Sequence, residues 1–163
     1  MSTVEGRIHR FGDSVNTDVI LPGRYLAIRD PAVLGSHCLE GIDPTFAKRV
    51  QPGDVLAAGR DFGCGSSREH AVVALKACGV GAVIVRSAAR IFFRNATNLG
   101  LPVLICPEAA EALQDGEPVR IDLASGTIRQ GERQWQAEPL GEEVRAILAA
   151  GGLVARIRAQ LAA

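Results

Sequence analysis

Between residues 54 and 106 the chain repeats a pattern that leaves few folds open to it. Apolar runs of strand length stand at 54–59, 82–86 and 102–106, and the segments between them, 71–78 and 89–99, have helical patterning. The order strand, helix, strand, helix, strand predicts parallel pairing through right-handed crossovers. A further strand is expected at 4–10, with Val4, Gly6, Ile8 and Arg10 on one side and His9 as a surface or interface residue. Beyond residue 117 the texture changes to short alternating runs, Val119–Leu123, Thr127–Arg129 and Gln134–Gln136, separated by Ser125-Gly126 and Gln130-Gly131. These predict an antiparallel meander. Helices are expected at 108–114 and 141–150, and Gly151-Gly152 breaks the latter before a last segment. The expected class is α/β, with a partly parallel sheet flanked by helices and a C-terminal meander.

The first strand-to-helix junction of that pattern reads Asp61-Phe62-Gly63-Cys64-Gly65-Ser66-Ser67-Arg68-Glu69-His70. Gly63 and Gly65 allow a tight turn and close approach to a ligand. Ser66 with Glu69 three residues on has the form of a capping box, which would start the helix there. The free N–H groups and positive dipole end of a first helical turn suit an anion, and Arg68 adds a forked cation for a carboxylate or phosphate. Capping accounts for Ser66 and Glu69 alone. It leaves Gly-x-Gly, Ser67 and Arg68 without a reason, so an anion site is expected at this junction.

The remaining polar segments support a site less directly. Asp13, Asn16 and Asp18 lack EF-hand spacing and predict a polar loop that positions groups over the site. Arg24 and Arg29 flank the apolar centre of 24–29. Asp30-Pro31 and Asp43-Pro44 each read as a helix start, with Asp as cap and Pro first inside. Arg90, Arg94 and Asn95 on the second long helix could reach toward a ligand or partner, although a solvated face accounts better for each. Gly63-x-Gly65 is no dinucleotide fingerprint, because Arg68 holds the third glycine position and Arg86 stands where an acidic residue would end the next strand. Asp61-Phe62-Gly63 lacks any accompanying kinase catalytic loop.

At 163 residues the chain is expected to form one domain, 1–163. Eighteen basic residues balance 18 acidic ones, and aromatics make up 4%, which argues against nucleic acid or a membrane surface as partner. No signal-peptide pattern and no uncharged run of spanning length is present, so a cytoplasmic location is expected. Cys38, Cys64, Cys78 and Cys106 are scattered without metal-ligand spacing and read as free thiols, with Cys78 and Cys106 in the core.

Gly65-Ser66-Ser67-Arg68-Glu69-His70 resembles the small-subunit family of 3-isopropylmalate dehydratase, in the aconitase superfamily. Gly12-Asp13 with Asn16-Thr17-Asp18, Pro22-Gly23-Arg24-Tyr25-Leu26 and Gly151-Gly152-Leu153 also match, so the similarity spans essentially the whole chain. The resemblance implies a swivelling β/β/α domain that docks on a separate large subunit, as heterodimer or heterotetramer. It implies a [4Fe–4S] cluster in that partner and no cofactor on this chain. The implied activity is a hydro-lyase reaction that isomerises 2- and 3-isopropylmalate in leucine biosynthesis, on a small dicarboxylate substrate. By position, Ser66 is implied as the catalytic base, with Gly65, Ser67 and Arg68 binding substrate. Arg24, Tyr25, Leu26, Ala27 and Ile28 are implied as a loop that reads the substrate. Relatives acting on homoaconitate-type acids typically carry arginine after the Tyr-Leu pair. Ala27 and Ile28 there suit an alkyl group. The alternatives are the small subunit of a homoaconitase or a methyl- or dimethylmalate dehydratase, or a non-catalytic anion-binding module.

Overall fold

The computed structural model describes residues 3–163. In chain order the elements are β1 (Thr3–Arg10), α1 (Thr17–Ile20), a 3-10 turn (Gly23–Tyr25), α2 (Pro31–Ser36) and α3 (Phe46–Arg49). Next come β2 (Val55–Ala58), α4 (Glu69–Cys78), β3 (Ala82–Val85), α5 (Arg90–Asn98) and β4 (Val103–Ile105). The chain ends with α6 (Pro107–Ala112), β5 (Pro118–Asp122), β6 (Thr127–Gln130), β7 (Arg133–Gln136), α7 (Glu142–Ala150) and α8 (Leu153–Ala162). No helix among the described residues is long and apolar enough to cross a membrane.

One seven-stranded sheet runs in the order β4-β3-β2-β1-β5-β6-β7. β1 divides it. On one side it pairs parallel with β2, which pairs parallel with β3 and β3 with β4; on the other it pairs antiparallel with β5, which begins the expected meander. Every residue of β2 and β3 is buried, as strands covered on both faces require. Their alternation divides two cores: Leu56, Ala58, Val83 and Val85 pack with the helices α1 to α5, whereas Val55, Ala57, Ala82 and Ile84 pack with α6 and the meander. The meander is buried on one face only, as β5 shows by exposing Pro118, Arg120 and Asp122 while burying Val119 and Ile121.

Three expectations fail here. His9 is not a surface residue but is 7% exposed. Its Nε2 lies 2.7 Å from Asp54 Oδ2, and its Nδ1 lies 2.8 Å from the Arg49 guanidinium. A guanidinium can only donate, so Nδ1 accepts and the ring proton sits on Nε2, directed to Asp54. Asp54 also accepts from the N–H groups of Arg7 and Gln51. Burial alone would raise the Asp54 pKa, but the bonds from His9, Arg7 and Gln51 outweigh it and hold the carboxyl below the usual range. The network ties β1 to the turn that launches β2, its parallel neighbour. The second failure is Asp43-Pro44. Asp30 caps α2 by accepting from Ala32 N–H, but Asp43 bonds Thr45 in a turn, and α3 begins only at Phe46. Cys106 is buried as expected, whereas Cys78 is only half-buried; all four cysteines are free.

Candidate functional site

In an open parallel sheet, the loops leaving the carboxyl ends of adjacent strands form the natural crevice for a ligand. Three such loops meet here, after β1, β2 and β3. The loop after β2 is laced to the one after β1: Gly63 N–H donates to Val15 O at 2.8 Å, Thr17 N–H to Cys64 O at 2.9 Å, and Thr17 Oγ1 to Ser66 O at 2.9 Å. The same loop is bridged to the one after β3, where Phe62 N–H donates to Ser87 O and Ala89 N–H to Phe62 O. The polar residues around Asp13 and Asn16 thus do what their composition predicted. Asn16 caps α1, Asp13 accepts from Arg60 N–H, and Thr17, 3% exposed, clamps the serine loop.

Gly63 and Gly65 sit at φ +77° and +95°, where side chains are strained. At Gly63 space is limiting too, since an added Cβ would lie 2.1 Å from Cγ of Phe92. Only glycine lets this loop lie on the first turn of α5.

The capping-box expectation is corrected by the geometry. α4 begins at Glu69, with Arg68 in the cap position, extended (φ −135°, ψ 104°) and without a side-chain cap. Ser66 lies two residues before that cap and takes no part in starting the helix. Its carbonyl is held by Thr17, and Ser66 and Ser67 are exposed. The N–H groups of Gly65, Ser66, Ser67 and Arg68 meet no protein acceptor among the described residues, and those of Glu69 and His70 are unpaired by helix geometry. Such a run of free donors suits an anion.

Arg68 is placed rather than solvated. Its guanidinium pairs with Asp18 and lies 3.5 Å from Leu21 O, and its side chain is 17% exposed. Loop and α5 enclose a cavity of about 200 Å³, lined by Gly65, Ser66, Ser67 and Arg68 on one side and Ala89, Arg90, Ile91, Phe92 and Asn95 on the other. Asn95 Nδ2 is 3.5 Å from Ser67 Oγ. Arg90 and Asn95, for which the sequence favoured a solvated face over reach toward a ligand, are therefore cavity residues; Arg94 is not among the lining. Their only sequence signal was their place in the helix following a strand adjacent to β2.

The segment 24–28 lies beside this cavity and does not line it. Arg24 and Tyr25 are engaged elsewhere: both bond Glu40, and the Tyr25 ring stacks on His37 at 3.9 Å between centroids. Burial would raise the Glu40 pKa, but Tyr25, His37 and Arg24 together hold it below the usual range. Leu26 is half-buried, Ile28 packs against the core and Ala27 is exposed. The link to the serine loop runs through Gly23, whose added Cβ would lie 3.7 Å from Arg68 Nη2.

This geometry has close relatives. The model of the aconitase C-terminal domain matches residues 27–108. A 3-isopropylmalate dehydratase small subunit from Caldicellulosiruptor saccharolyticus is 48% identical over 159 residues, covering 96% of this chain and 92% of its own. The chain belongs to the 3-isopropylmalate dehydratase small-subunit family. A crystal structure of 3-isopropylmalate dehydratase from Methanocaldococcus jannaschii superposes with a TM-score of 0.92 at 48% identity, covering 97% of this chain and 95% of that one. The family extends to a 2,3-dimethylmalate dehydratase small subunit from Eubacterium barkeri, 47% identical over 95% of this chain and 96% of its own. Its members are dehydratases, and a small subunit implies a large one. Among the described residues no group of three or more His, Cys, Asp or Glu could hold a metal ion.

Proposed function

We propose that this chain is the substrate-gripping small subunit of a heteromeric hydro-lyase that interconverts 2- and 3-isopropylmalate by dehydration and rehydration. The supporting observation is the Gly65–Arg68 loop: two exposed serines beside a half-buried arginine and a run of unpaired N–H groups, at the carboxyl ends of parallel strands. Arg68 and the N–H groups hold a substrate carboxylate, with Asp18 fixing the guanidinium in place. Ser66 takes the proton from the carbon next to that carboxylate and returns one on the reverse path.

A free serine hydroxyl is too weak an acid to serve as alkoxide at neutral pH. The loop donors and the positive end of α4 must therefore stabilise the oxyanion in a space closed from water. Among the described residues the donor set does not fit a [4Fe–4S] cluster. In the proposed enzyme the cluster belongs to the large subunit, where its iron would supply Lewis acidity toward the departing hydroxyl.

The test is an anaerobic assay of this chain with its large subunit, cluster reconstituted, on isopropylmalate. Turnover should require both chains. Ser66→Ala should lower kcat by roughly 10²–10⁴-fold, the usual contribution of a positioned base, with KM little changed. A variant that keeps full turnover removes Ser66 as the base. A complex with verified cluster that turns over no dicarboxylate favours an anion-binding module instead.

A further inference from the structure

We propose that Cys38 and Cys78 form a peroxide-responsive thiol pair that closes reversibly into a disulfide, joining the turn after α2 to the end of α4; the proposal stands apart from the dehydratase reading. α2 packs along α4 more extensively than any other two elements of the fold pack together. Gly35 is the reason, since a Cβ there would lie 2.9 Å from Cys78 N and 3.0 Å from the Ala77 carbonyl carbon. With no side chain between them, the two backbones touch where α4 ends. Cys38 follows Gly35 by one turn, its N–H donating to Gly35 O at 3.2 Å, and it is fully buried. There the two thiols meet as hydrogen-bond partners. Cys78 Sγ donates its own proton to Leu75 O at 3.2 Å, so it accepts from Cys38.

The two sulfurs differ in a way that assigns their roles. Cys78 is half-buried beside the exposed Lys76 and Ala77, whereas Cys38 has no contact with solvent. The bond from Cys38 outweighs burial and holds the Cys78 thiol below its usual pKa; burial and the same bond push Cys38 well above it. Cys78 is the attacking sulfur and Cys38 the resolving one. The Cys78 thiolate attacks one oxygen of hydrogen peroxide, and the O–O bond breaks. The hydroxide released takes up the proton that Cys78 gave up and leaves as water. Cys38 then attacks the sulfur of the Cys78 sulfenic acid; the S–O bond breaks, and the hydroxyl departs with the Cys38 proton as a second water. Two thiols and one peroxide thus give one disulfide and two waters. A small thiol reduces the bond again by exchange. Cys106 lies in the core on the other face of the sheet, and Cys64 precedes the opposite end of α4, so neither competes for Cys78.

The test treats the full chain with a small excess of hydrogen peroxide, counts free thiols under denaturing conditions and maps the cysteines by peptide mass spectrometry. Free thiols should fall from four to two, a peptide cross-linked through Cys38 and Cys78 should appear, and dithiothreitol should restore all four. Cys38→Ala should stop at a sulfenic acid on Cys78 that dimedone traps. Cys78→Ala should slow the modification of Cys38 at least about tenfold, as a buried and protonated thiol requires. Circular dichroism checks that each variant is folded, and the peptide map of the parent decides the matter where one is not. Oxidation of Cys64 or Cys106 ahead of the pair would overturn the proposal. So would cross-links between chains, over-oxidation of Cys38 and Cys78 without a disulfide, or a chain that keeps all four thiols.

Discussion

Gly63 offers the most direct test of how the serine loop is built. In Gly63→Ala the new methyl would lie 2.1, 2.4 and 2.5 Å from Cγ, Cβ and Cδ1 of Phe92. These atoms cannot retreat far, because Phe92 is 3% exposed and packed against Phe62. A left-handed backbone with a Cβ costs about 1–2 kcal/mol, and overpacking of this kind typically adds about 1–3. The expected loss is roughly 2–5 kcal/mol from a total that is usually about 5–15. For a chain of this size that lowers the thermal midpoint by roughly 5–15 °C. Urea unfolding followed by circular dichroism measures it, with Gly12→Ala as control. Nothing lies within 4 Å of a Cβ at Gly12, so it should stay within about 0.5 kcal/mol of the parent. In the double variant with Phe92→Gly the ring and its Cβ are both gone, so the clash disappears and the left-handed backbone cost stays. The two changes should therefore be less than additive, by at least about 1 kcal/mol. Additive losses, or a Gly63→Ala loss below about 1 kcal/mol, would refute the close-packing account.

Two further perturbations separate clamp from catalysis and anchor from surface. Thr17→Val keeps the shape of a buried side chain but removes the bond to Ser66 O; it should cost about 1 kcal/mol in urea unfolding and lower kcat about tenfold by loosening the loop, with KM less affected. Glu40 and Asp54 have pKa values depressed in the fold, so their contribution is full above the unfolded carboxylate value of about 4 and is lost as pH falls through the folded values. Thermal midpoints should be level from about pH 7 to 5 and fall below about pH 4, and Asp54→Asn should lower the plateau and flatten that acid limb.

The parallel half of the sheet was legible because its strands are buried on both faces, and continuous apolar runs such as Val55–Ala58 and Ala82–Val85 record that directly. The meander was legible for the opposite reason, through the alternation that leaves Arg120 out and Ile121 in. The double role of β1 was not. Its alternation says that one face is buried and nothing about direction, and its partners lie across the chain, Ile8 against Val55 and Gly6 against Val119. His9 was misplaced on similar grounds. Periodicity assigned it to an outer face, while its stabilising partner Asp54 stands 45 residues away and becomes a neighbour only once β1 and β2 pair.

At the site, the residues that share one loop could be read and those brought in by packing could not. Gly65 to Arg68 are contiguous, so their chemistry shows in a single line of sequence. Ile91 and Asn95 reach the same cavity through the Phe62–Ala88 bridge, which no local pattern announces. The capping-box misreading is instructive in its consequence. A serine that caps a helix has its oxygen taken up by a backbone N–H, which would lower its availability to a substrate. Here the clamp is supplied by Thr17 acting on the carbonyl of Ser66, and the helix starts at Glu69 without help from a serine side chain. The Ser66 hydroxyl is therefore left without the structural duty its spacing suggested. The bland explanation for a serine at this position thereby loses its main support, and the chemical one gains by the same step.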